Sequence, residues 1–184
     1  MPEILIVAAT ELELCGRPGL VCGVGPVEAA AATGRALAEK PVDAVMHIGI
    51  AGARRDCGIA VGEVVVGGEA WYEDLVTTRR LSPDRVNGDE RLVAAACDEL
   101  GVTPVVIGTT ARVGGGTCVV EAMEGFAVLR AAQLAGVPAI EVRSVSNHVE
   151  DARADWLIND ALAALAQALP GLLASITAAV SPSP

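Results

Sequence analysis

The chain has 184 residues, 52% of them hydrophobic but only 2% aromatic, and a formal net charge of −10 at pH 7. Such a length supports one domain whose core is built from Val, Ala, Leu and Ile, as suits a mostly parallel sheet under Ala-rich helices. The charge excludes a basic footprint for nucleic acid and an attraction to anionic membrane surfaces, while leaving a small anionic ligand open.

Glu3–Ala9 reads as a short apolar strand running into Thr10-Glu11-Leu12-Glu13. Leu20–Gly25 reads as a second strand, placed to pair with the first as a hairpin. Gly23-Val24-Gly25-Pro26 then turns into a helix over Val27–Glu39, with Pro26 near its first turn. This is not a full dinucleotide fingerprint, because Val27 and Glu28 hold the later positions, so a structural turn is the plainer reading. Asp43–Ile50 is a buried strand, followed by Ala51-Gly52-Ala53 and the polar loop Arg54-Arg55-Asp56. Gly62–Trp71 is another strand. Glu73–Gly88 is charged and rich in turn signals, and reads as loop. Asp89–Leu100 is an amphipathic helix stopped by Gly101, and Val102–Val113 is a strand interrupted at Gly108.

The stretch from Val120 to Asp151 reads as a helix, a Gly-Val-Pro turn, and the core strand Pro138–Val145 ending in Ser146-Asn147-His148. The helix is apolar almost all round between Ala122 and Ala135, so it should be largely covered. A last helix starts near Ala154. Its segment Ala161–Val180 carries no charge, but Gln167, Pro170, Gly171, Ser175 and Thr177 argue for a packed helix, broken or kinked near Pro170, over a membrane span. The alternation predicts a single α/β domain over residues 1–180, a mixed, mostly parallel sheet flanked by helices on both faces, with 181–184 a disordered tail. The start MPEILIVAAT lacks a basic n-region, so no signal peptide is expected and the reading is cytoplasmic. Five cysteines without CxxC spacing and two distant histidines predict neither a disulfide framework nor a zinc site. No metal and no cofactor are expected.

Three polar residues in apolar surroundings carry chemical content. Glu124 falls in line with Val120, Val128 and Ala131, where a carboxylate is costly unless something binds it; the alternative is a first-turn glutamate facing the positive helix end. Asn147 lies at the carboxyl end of a core strand, where α/β sheets bind ligands, although an Asn also suits a simple turn there. Arg143 sits inside that strand and needs a buried partner, with Glu124 or another acid available. Arg54, Arg55, Arg79 and Arg80 are the cations able to read a phosphate, but adjacent loop arginines are ordinarily solvated.

Taken together, VEAMEGFAV, then GVP followed by EVRSVSN, then Trp156, resemble the nucleoside phosphorylase and nucleosidase superfamily, and within it the futalosine hydrolases of menaquinone biosynthesis. Gly49-Ile50-Ala51-Gly52 is similar to the superfamily's Gly-Ser-Ala-Gly signature, with Ile50 in place of the common Ser. The resemblance implies that the backbone at Ala51 and Gly52 approaches base and ribose, and that Met123 and Glu124 meet the sugar. It aligns Ala9-Thr10-x-x-Glu13 with the segment whose acid holds the nucleophilic water, with Glu11 as the fallback. An acid there repels phosphate and favours hydrolysis over phosphorolysis. It sets Asn147 where adenine-specific nucleosidases carry an Asp. An amide cannot supply a proton, but its N–H suits the acceptor edge of a 6-oxopurine such as hypoxanthine. Arg143 joins the substrate-binding set. Arg112 and Phe126 are candidate pocket walls, although a surface arginine is the plainer reading of Arg112; Trp156 either closes the pocket or packs the last helix onto the core, with packing the plainer reading. The implied partner is a nucleoside, and the implied assembly a homo-oligomer. The remaining readings are a methylthioadenosine nucleosidase, a purine nucleoside phosphorylase, or a catalytically silent nucleoside-binding protein.

Overall fold

The computed structural model describes residues 2–76 and 82–181. Its two longest strands, β3 (Ala44–Ala53) and β8 (Ala139–His148), are buried almost throughout and run parallel from Val45 opposite Ala139 to Ala53 opposite His148. β1 (Ile4–Ala8) lies parallel on the other side of β3, and β2 (Leu20–Val21) lies parallel to β1. The expected hairpin is therefore corrected. The segment between these strands passes over the end of the sheet and returns the chain in the same direction, which a tight hairpin turn cannot do.

β4 (Val64–Tyr72) pairs antiparallel with β8 and parallel with β6 (Val105–Thr109). β6 pairs parallel with β7 (Val120–Ala122), and β7 pairs antiparallel with the carboxyl end of β3. The pairings β3–β8–β4–β6–β7–β3 thus close a ring. The mixed, mostly parallel sheet is as expected; its closure is a further feature. β5 (Arg85–Asn87) adds antiparallel to β4, inside the segment read as loop. With only Val86 buried, it is too short to show a period.

Among the described residues, four α-helices cover the strands. α1 (Pro26–Glu39) packs with α3 (Gly125–Ala135) over one apolar cluster, and α2 (Glu90–Leu100) with α4 (Ile158–Val180) over another. α2 begins where the Asp89 carboxylate accepts from the backbone N–H groups of Arg91 and Leu92, and it ends at Gly101 in the left-handed region, φ 67°. α3 starts later than the apolar pattern suggests, because Val120–Ala122 is strand; a short apolar run does not distinguish the two. Glu124 therefore sits at the strand-to-helix corner, not inside a helix. Nor is α3 covered all round, since Leu134 is exposed.

α4 is long and apolar enough to cross a membrane by length and composition. Its buried stripe of Ala161, Leu165, Leu169, Leu172 and Ile176 instead packs into the core. The helix runs unbroken through Pro170, so of the expected break or kink the break is corrected. Pro170 lies on the exposed face, where water can satisfy the carbonyl that loses its N–H partner.

Candidate active site

The carboxyl ends of β1, β3 and β8 and the corner between β7 and α3 meet around a cavity of about 250 Å³, room for a small molecule. The chain after β1 brings in Glu13. Its Oε1 accepts from the Ile50 backbone N–H at 3.0 Å and its Oε2 from the Thr10 hydroxyl at 2.8 Å. The carboxylate is thus fixed by two donors and still lines the cavity. Ile50 lacks the hydroxyl of a Ser, but the contact it makes is through its backbone. Gly49 is required by close approach: a Cβ there would lie 2.6 Å from Glu13 Oε1 and collide with the Arg143 guanidinium. Glu11 is exposed and does not line the cavity.

Glu124 is 4% exposed and turns away from its own helix. Its Oε1 accepts from the Gly25 N–H at 3.0 Å, and its Oε2 lies 3.5 Å from Arg143 Nη2. The Gly23-Val24-Gly25 turn thereby anchors a site carboxylate, and Val24 lines the cavity. Gly25 has φ 92°, a conformation that favours glycine. Met123, Ala51 and Gly52 also line the cavity.

Asn147 reaches the cavity through an irregularity in β8. The register with β3 slips between Ala51 and Gly52, so Val145 faces Ala51 but Asn147 faces Gly52. Such a bulge re-aims a side chain. Asn147 Nδ2 donates to the His148 carbonyl at 2.8 Å, and its Oδ1 accepts from the Ser146 hydroxyl at 2.8 Å. The His148 carbonyl fixes which end of the amide carries nitrogen, and one amide hydrogen remains uncommitted.

Arg143 does not line the cavity, which corrects its direct substrate-binding assignment. It is fully buried behind Glu124, its Nε donates to Glu141 Oε1 at 2.9 Å, and its Nη2 meets His47 Nε2. Arginine can only donate, so His47 Nε2 accepts and Nδ1–H donates to the Val7 carbonyl at 3.0 Å. Burial, then the adjacent guanidinium, holds the His47 pKa well below its ordinary value. Burial likewise raises the Glu141 carboxyl, against the opposing pull of Arg143.

The His47 shift gives a pH prediction. The folded state keeps His47 neutral while the unfolded chain protonates it near pH 6.5. The contribution is therefore present above about pH 6.5 and is lost as pH falls towards the depressed folded value. Urea midpoints measured at pH 7.5 and pH 5.5 should show this loss, and His47→Gln should reduce it. An equal loss in both proteins would show that His47 is not responsible.

Phe126 stacks on Tyr72 with ring centroids 5.3 Å apart, outside the cavity. Arg112 is exposed and also outside it. Trp156 does line the cavity, with the Arg153 guanidinium 4.1 Å over its ring, a position that fits the pocket-closing reading over packing. Arg54 is engaged by the Gly116 and Cys118 carbonyls and Arg55 by Asp151. Arg79 and Arg80 lie outside the described residues. All five cysteines are free; burial, then the charge of Glu124, pushes Cys22 up to about 12, far from a reactive thiolate. Glu121 was not singled out by sequence, yet it lines the cavity.

A family model described as the phosphorylase superfamily matches residues 17–117. A futalosine hydrolase from Streptomyces coelicolor is 35% identical over 85% of this chain and 78% of that protein. The chain belongs to the futalosine hydrolase family. A second futalosine hydrolase, from Thermus thermophilus, is 32% identical over 84% of this chain and 80% of that protein. Among solved structures, a 5′-methylthioadenosine/S-adenosylhomocysteine nucleosidase from S. pneumoniae matches with TM-score 0.82 at 23% identity, covering 94% of this chain and 99% of that one. The futalosine hydrolase of Helicobacter pylori matches with TM-score 0.81 at 17% identity, covering 94% and 97%. At these identities the structural likenesses establish the fold alone. The nucleosidase fold and the futalosine hydrolase family thus coincide in one α/β domain.

Proposed function

We propose that this chain hydrolyses the N-glycosidic bond of futalosine, releasing hypoxanthine and dehypoxanthine futalosine for menaquinone biosynthesis. The observation that carries the reading is the meeting of Glu13, Glu124 and Asn147 on one cavity, with no phosphate cage among the described residues. Arg54 and Arg55 are engaged elsewhere, and the one cation lining the cavity among the described residues, Arg153, stacks on Trp156. An anion brought to Glu13 would meet a carboxylate, whereas a water there meets an acceptor.

In this reading Glu13 holds and deprotonates the attacking water. Glu124 uses its remaining lone pairs to accept from the ribose hydroxyls, with Met123 against the sugar. Arg143 acts through Glu124, whose position it supports from behind. Asn147 donates its uncommitted amide hydrogen to the departing base as an oxocarbenium-like sugar develops. The apolar groove between α1 and α3, with Val27 and Leu134 open on it, supports a homo-oligomer. A cytoplasmic setting fits five free thiols.

The test is base release from futalosine, inosine and methylthioadenosine, each with and without phosphate. Phosphate-independent hypoxanthine release from futalosine is the expected result. Adenine release would overturn the role of Asn147, and dependence on phosphate would overturn that of Glu13.

A further inference from the structure

Across the sheet, Asn147 on β8 pairs with Gly52 on β3, and Gly52 pairs with Glu121 on β7. Paired residues on neighbouring strands share a face. The amide and the carboxylate therefore flank a glycine floor, their backbone positions two strand spacings or roughly 9.5 Å apart across the sheet. Gly52 keeps that floor bare: a Cβ there would lie 3.1 Å from Asn147 Nδ2. Glu121 is 7% exposed, and what remains open faces the cavity. Its carboxylate is fixed from behind by the Gly114 N–H and by the Gly116 N–H at 2.6 Å. Two carboxylate oxygens offer about four acceptor sites, so these two donors leave capacity for a ligand N–H.

We propose that Glu121 is a specificity-determining residue of the base subsite, accepting a hydrogen bond from a ring N–H beside the carbonyl of a 6-oxopurine. This rests on the function proposed above and adds a residue to it. The Asn147 amide donates to the carbonyl side of the base, and Glu121 accepts from the adjoining ring nitrogen. A purine bearing a bare ring nitrogen there meets lone pair against lone pair. The cavity thus selects a lactam edge with donor and acceptor side by side, and rejects a 6-aminopurine on two counts.

The test is calorimetric binding of hypoxanthine, 1-methylhypoxanthine and adenine to the full chain and to Glu121→Gln, which needs no turnover. Wild type should bind hypoxanthine about 10–100-fold more tightly than either of the others, the scale of a hydrogen bond to a charged group. In Glu121→Gln the preference over 1-methylhypoxanthine should shrink to within about threefold, because the charge-assisted contact is the one this analogue already lacks, while Asn147 still disfavours adenine. Equal wild-type affinity for hypoxanthine and 1-methylhypoxanthine would overturn the proposal, as would a preference over 1-methylhypoxanthine that survives undiminished in the variant. If the variant does not fold, the wild-type comparison decides alone. Cleavage of futalosine by a wild type that does not discriminate these bases overturns the role of Glu121 and leaves the proposed function standing. No cleavage of any nucleoside overturns the proposed function itself.

Discussion

Glu13→Gln is expected to slow hypoxanthine release from futalosine by about 10²–10⁴-fold, the usual worth of a positioned general base, with KM changed far less. The carboxylate is fixed by the Ile50 N–H and the Thr10 hydroxyl, so its orientation is set before substrate arrives. A glutamine keeps the shape but must turn its NH2 towards one of these two positions. The Thr10 hydroxyl can rotate to accept, whereas the Ile50 N–H cannot, so Oε1 stays on Ile50 and the amide replaces Oε2. The variant thus folds with the site intact but without a base. A kcat within about threefold of wild type would remove Glu13 from the mechanism, and Glu11, exposed and outside the cavity, offers no ready substitute.

Arg143→Met should be the most destabilising single change in the site, by about 3–5 kcal/mol, because it leaves buried charge without its partner. The guanidinium is shared by Glu141, Glu124 and His47, all of them buried. Methionine fills part of the volume but satisfies none of them. Lysine is no remedy, since one ammonium cannot reproduce the fork that reaches three partners. Urea unfolding of Arg143→Met and of Glu141→Gln measures the difference. A loss below about 1 kcal/mol in Arg143→Met would mean that the site carboxylates relax into solvent and are not held by this network.

Several parts of this arrangement were legible in the sequence because they rest on local rules. The core strand ending at Asn147 pointed to the end of the sheet where the cavity lies, and an arginine inside a β-branched run pointed to a buried partner. The resemblance then aligned Glu13 and Glu124, which the structure brings to one cavity. What was not legible depends on register between distant strands. Glu121 looks like an ordinary polar residue until Gly52 and Asn147 are seen beside it and the N–H groups of Gly114 and Gly116 behind it. The partner of Arg143 was sought among acids, and neutral His47 escaped because a histidine in an apolar run reads as core. Ring closure was invisible because β7 is three residues long and its partners on β3 and β6 lie on separate parts of the chain.

That closed ring sets the order of events when the chain folds. Its joins of longest sequence separation are β7 onto β3, and β8 between β3 and β4. Contacts of such separation form slowly, because the entropy of closing the intervening chain must be overcome before they stabilise anything. Glu13, Gly52, Glu121 and Asn147 belong to segments that only the complete ring juxtaposes. In a refolding experiment the helices should therefore regain their circular dichroism early, and affinity for hypoxanthine should return only with the slowest phase.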